Sequence, residues 1–174
     1  MNRVACMLLP FIAIILFIHN AKATDADSLK TISIDELGIT LLIPESWSGG
    51  QQQNIFVFTR DCDEVFCANL IIRSNANKEK MDLDKAASFL ISSLGKRFKE
   101  LKMVAVDDHT INDKQFKVLD YMFREEDVDL GGTTALAIRG DNIISISFMG
   151  LNQPKGSYVD ARRMFAKMLD SIKL

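Results

Sequence analysis

A chain of 174 residues with 23 acidic against 21 basic side chains and a net charge of −2 lacks the concentrated basic surface that nucleic acids and anionic lipids require. Its 48% hydrophobic content supplies one domain with a core of its own, which excludes dependence on metals or several disulfides for folding.

Residues 1–23 have the three parts of a secretory signal: the cationic Arg3, an apolar run over 4–18, and the small-residue motif Ala21-Lys22-Ala23. Cleavage is expected after Ala23, which places the protein in the periplasm. The run contains Pro10 and falls short of the ~20 residues of a spanning helix, so no stable membrane span is expected after cleavage; the competing reading is an uncleaved N-terminal anchor. Cys6 precedes the apolar run and is therefore not an acylated lipoprotein cysteine. Arg3 and Lys22 are the charged residues removed, so the remainder carries 19 basic and 23 acidic residues, −4 net.

Residues 24–30 read as a flexible leader and 31–174 as a single domain. Strand signals cover 31–34 and 39–43, the second stopped by Pro44, and SGGQQQ at 48–53 reads as a loop. Residues 54–59 and 66–73 form a second hairpin around Cys62 and Cys67. In an oxidising compartment so close a pair most simply forms a structural disulfide.

Asp82 is placed to cap a helix whose apolar face is Leu83, Ala87, Leu90, Leu94, Phe98 and Leu101. Its solvated face carries Lys85, Ser88, Lys96, Lys99 and Glu100, and Gly95 weakens it locally. Strands follow at 103–110 and 115–124 around Asn112-Asp113-Lys114.

Residues 133–149 organise the chain, as two arms joined by a polar turn at Gly140, Asp141 and Asn142. Thr134, Leu136 and Ile138 share one face against Ala135, Ala137 and Arg139, and Ile144, Ile146 and Phe148 oppose Ser145 and Ser147. The expectation is one apolar face, covered by helices, and one small or polar face. Ser157 and Asp160 approximate a capping box for a second helix, with Ala161, Met164, Phe165, Met168, Leu169 and Ile172 inward. The fold class is α+β: an antiparallel sheet flanked by helices.

Convergent reactive groups are missing from this pattern. His109 follows Asp107 and Asp108 in a charged strand, Ser46 and Ser48 have no neighbouring base, and Gly49-Gly50 and Gly131-Gly132 lack the setting of a phosphate loop. The acidic groups Asp61, Asp63, Glu64 and Glu125, Glu126, Asp127, Asp129 do not have calcium-loop spacing. Neither a catalytic role nor a cofactor or metal is therefore expected. The second acidic group reads as a solvated turn or as a docking rim for a basic partner, and Trp47 as a half-buried plug or an interface anchor.

An early strand ending in Pro44-x-x-Trp47, a middle helix after Asp82, the apolar hairpin and a C-terminal helix together resemble the PsbP-like fold superfamily. That superfamily takes in the Ran-binding Mog proteins, the photosystem II PsbP subunit and DcrB-like bacterial envelope proteins; the chain departs from the last in lacking a lipobox cysteine and in having Cys62 and Cys67. The resemblance implies an αβα sandwich and a role in binding other proteins, with no catalytic residue to carry across. The expected function is a non-enzymatic periplasmic protein-binding or envelope accessory protein. The alternatives are an immunity protein against a periplasm-targeted toxin, and a carrier of a small apolar ligand near Phe98, Phe148, Met164 and Phe165.

Overall fold

The computed structural model describes residues 28–53, 55–59, 66–152 and 157–174. The signal segment, Cys62, Asp61, Asp63 and Glu64 lie outside the described residues. So do the side chains of Ser157, Asp160 and Ala161, on which the second helix's capping expectation rests.

Seven strands form one antiparallel sheet in the order β3 (Ser48–Gln52), β4 (Ile55–Thr59), β5 (Asn69–Ala76), β9 (Asn142–Leu151), β8 (Val128–Arg139), β7 (Lys114–Glu125) and β6 (Lys99–Ile111). A separate hairpin of β1 (Leu29–Ile34) and β2 (Ile39–Pro44), with α2 (Ser157–Asp170), covers one face; α1 (Leu83–Arg97) covers the other. The β6–β7 turn is made by Asn112 and Asp113, both at positive φ, as a two-residue turn between twisted strands requires.

β8 and β9 pair from Leu130↔Leu151 to Arg139↔Asn142. Ala135 and Ala137 lie opposite Ile146 and Ile144, beneath α2 and the β1–β2 hairpin. Thr134 and Leu136 lie opposite Ser147 and Ser145 on the α1 face, and both are buried. The expectation of one covered face is thus corrected: the sheet is covered on both, and the alanines leave room for the aromatic layer above them.

The C-terminal end of α2 is tied to the hairpin it packs beside. Thr40 and Lys173 exchange backbone hydrogen bonds of 3.0 and 2.9 Å, and the Leu42 N–H donates to Ser171 Oγ at 2.8 Å. Asn112 Nδ2 reaches the Ile172 carbonyl from the far end of the sheet at 2.6 Å. In the core so closed, Phe148 stacks on Trp47, Tyr158 and Phe165 at centroid distances of 6.0, 6.2 and 5.6 Å.

Asp82 caps α1, its Oδ1 accepting from the Lys85 N–H at 2.8 Å. That backbone bond holds its carboxyl below the usual carboxylate range. Phe98 and Leu101 are not on the helix. Phe98 is extended, with φ −105° and ψ 128°, and its ring stacks on Phe123 at 4.0 Å. Burying that ring in the sheet outweighs one more helical turn, and Leu101 joins the same cluster from β6. Two further corrections concern strand limits. Leu29 and Lys30 belong to β1 rather than to a leader, and Ser48–Gln52 is a strand because it pairs with the apolar Ile55–Thr59.

Candidate functional site

The expected site residues do not converge. Trp47 is 1% exposed and stacked on Phe148, so it is a core residue, corrected from a half-buried plug or interface anchor. Phe98 lies in the α1-side cluster, whereas Phe148, Met164 and Phe165 lie on the α2 side; the four do not enclose one carrier cavity. Gly131 and Gly132 sit inside β8, where each makes room for an aromatic ring. A Cβ on Gly131 would stand 2.5 Å from the Tyr158 ring, and one on Gly132 would strike Tyr121. The signal for this lies in two distant tyrosines, not in the Gly-Gly pair.

The sheet also encloses polar groups that are partnered. Asp120, 3% exposed, accepts from Thr133 Oγ1 at 2.5 Å and is ion-paired with Arg162 of α2. Tyr158 OH bonds Thr133 at 2.6 Å, and burial pushes its pKa up. On the opposite face Tyr121 OH bonds Thr134 at 3.2 Å, and burial likewise raises its pKa. A saturated network of this kind locks α2 in register rather than presenting a poised acid or base. His109 is exposed on β6, opposite Phe116.

The sheet has two edge strands, β3 and β6, and β6 is the longer. β6 is an edge strand of 13 residues, with β-bulges between Lys99 and Lys102 and between Met103 and Ala105; from Ala105 to Ile111 its pairing with β7 is regular. Val106 lies opposite Leu119 and so points to the α1 face, yet it is 45% exposed, and the bulged Val104 is 52% exposed. Bulges and charges are the usual protection of such an edge; here the bulges occupy one half and Asp107 and Asp108 the other. Lys117 draws Asp108 and Asp84 of α1 together at 2.5 and 2.7 Å, and Asp108, then Asp84, raise the lysine's pKa.

The acidic rim stands at the start of β6, the opposite end of the strand from Asp107 and Asp108. Because Lys99 pairs with Arg124, the start of β6 runs beside the β7–β8 turn that carries Glu125, Glu126 and Asp127. All three are exposed, and Asp129 is half-buried. Arg124 lies 3.8 Å from Asp127 and 3.9 Å from Asp129, leaving the rim net acidic. Between α1 and β6 opens a groove of about 660 Å³ whose walls are mixed: Ile91, Phe98, Leu101 and Met103 are apolar, while Lys96, Arg97, Lys99 and Glu100 make it net basic. An open strand edge, a groove of mixed polarity and an acidic rim have the form to hold an extended peptide.

No family model and no curated protein sequence matches the chain. Solved structures do. The cyanobacterial PsbP of Synechocystis, CyanoP, matches with a TM-score of 0.65 and 12% identity over 90% of this chain and 98% of that one. The Ran-binding protein Mog1p of Saccharomyces cerevisiae matches at 0.63 and 11%, over 85% and 96%. LpqN of Mycobacterium tuberculosis, involved in cell envelope biogenesis, matches at 0.60 and 9%, over 86% and 91%. The chain therefore has the α+β fold of the PsbP and Mog proteins. Among the described residues no helix is long and apolar enough to cross a membrane.

Proposed function

We propose that this is a non-enzymatic protein, exported to the periplasm with cleavage after Ala23, that holds another protein at the cell envelope. The observation that carries the reading is the open outer edge of β6, along which Val104 and Val106 are exposed and at whose start the acidic β7–β8 turn stands. Such an edge takes an extended segment by strand addition: backbone hydrogen bonds give affinity and alternate side chains give selectivity. The rim formed by Glu125, Glu126, Asp127 and Asp129 favours a basic segment, acting more on association rate and orientation than on affinity. Two proteins of the same fold, one Ran-binding and one involved in cell envelope biogenesis, support a partner-holding role and an envelope setting. The Cys62–Cys67 disulfide belongs to this reading as a brace between β4 and β5 in an oxidising compartment.

Affinity capture from envelope extract, comparing the wild type with the triple variant Glu125→Lys/Glu126→Lys/Asp127→Lys, tests it. A partner retained at low salt, lost at high salt and lost in the variant is expected. Identical capture by both proteins would contradict it. Peptide mass mapping of the exported form should begin at Thr24.

A further inference from the structure

One end of the sheet carries two patches of opposite sign side by side. α1 passes into β6 with Phe98 alone between them, and Glu100 takes a left-handed φ of 57° at the first β-bulge. That abrupt junction opens the groove between α1 and β6, where Ile91, Leu101 and Met103 are half-buried rather than sealed. Around them stand Lys96, Arg97 and Lys99 against the single carboxylate of Glu100, and all four are exposed. The Arg97 guanidinium is held over the Phe98 ring, 5.1 Å from its centroid. The β7–β8 turn beside this groove has the reverse character, with Glu126 and Asp127 at its tip and Glu125 before them, all exposed. Among the described residues no carboxylate pairs with Lys96, Arg97 or Lys99, and no cation with Glu125 or Glu126.

We propose that the groove takes the acidic turn of a second copy of this chain. Lys99 pairs with Arg124, so groove and turn adjoin, and one two-fold axis at this end of the sheet sets each copy's turn in the other's groove. The contact is then made twice, as a self-complementary interface requires. Glu125, Glu126 and Asp127 meet Lys96, Arg97 and Lys99, while the aliphatic stems of the two lysines widen the apolar floor. The chain as a whole is net acidic, at −2, so two copies repel in most orientations and charge selects the one that brings groove to turn. Exposed pairs of this kind are screened by salt and individually weak, which makes the dimer reversible. It covers the turn on which the partner reading relies, so second copy and partner exclude each other; that consequence alone rests on the partner reading.

Sedimentation equilibrium of the purified protein should show a monomer–dimer equilibrium with a dissociation constant below about 1 mM. It should weaken at least about ten-fold between ionic strengths of about 0.01 M and 1 M, over which the screening length falls from about 30 Å to 3 Å. Two variants, Glu125→Lys/Glu126→Lys/Asp127→Lys and Lys96→Glu/Lys99→Glu, should each be monomeric over the same range; Arg97 is left in place to keep its contact with Phe98. All five positions are exposed, and both variants should keep the wild-type circular dichroism. An equimolar mixture of the two should recover a dimer containing one of each, because the exchanged charges match in both contacts. A wild type that stays monomeric up to about 1 mM, undiminished dimerisation in either variant, or no mixed dimer would each overturn the proposal. Mass is read on the purified protein with no partner present, so failure here leaves the capture experiment on extract untouched.

Discussion

The two faces of the sheet are finished to different degrees. On the α2 face a helix and a two-stranded hairpin together seal Trp47, Phe148, Phe165 and Met168, all fully buried, and backbone bonds from Lys173 to Thr40 close the seam. On the other face α1 works alone. Of its own residues only Ala86 and Ala87 are buried, Leu90, Ile91 and Leu94 remain half-buried, and Val106 beyond them is uncovered. The difference is one of completion: one face is a closed core, while on the other the cover over a second buried cluster ends short of the sheet edge and leaves Val106 exposed, where the proposed partner would pair.

Paired truncations give the largest expected effect. Phe148→Ala should cost about 3–5 kcal/mol, as for other fully buried aromatics, whereas Leu90→Ala on the half-buried α1 face should cost about 1–2 kcal/mol. Denaturant unfolding measures both, and equal losses would break the comparison. Gly131→Ala comes next, at about 1–3 kcal/mol, because the new methyl overlaps the Tyr158 ring and that ring is anchored to Thr133. Gly95→Ala should do the opposite: its added methyl meets nothing nearer than Leu101 at 3.9 Å, so a gain of up to ~1 kcal/mol is expected from helix propensity.

The smallest effect is one of pH and acts only on the α1 side. The Asp82 carboxyl titrates below its ordinary value of 3.8 in the folded protein, so its contribution to α1 is present above that value and lost as pH falls through the lowered one. Asp82→Asn should flatten the acid limb of the unfolding profile without changing the neutral region in proportion.

Much of this architecture was legible in local pattern. The alternation in 133–149 specified a hairpin, and Asp82 followed by apolar residues at three- and four-residue steps specified a capped helix. Three features were not, each because its cause is non-local. Ser48–Gln52 has no strand propensity of its own and becomes a strand by pairing with β4. Phe98 continues the helical period of α1 but leaves the helix for the ring of Phe123 across the sheet. Gly131 and Gly132 are read only once Tyr158 and Tyr121 are known to lie over them. Of the candidate site, the acidic rim was visible as a charge run. That β6 is an edge depends on strand order, which is not written in neighbouring residues.

Site-specific photo-crosslinking in intact cells tests the central claim most directly, with the probe placed at Val106 on the β6 edge or at Gln51 on the opposite edge, β3. A discrete protein adduct should form from position 106, disappear in the Glu125→Lys/Glu126→Lys/Asp127→Lys background, and be absent from position 51. No adduct from 106, or the same adduct from both edges, would contradict a partner held at the β6 edge.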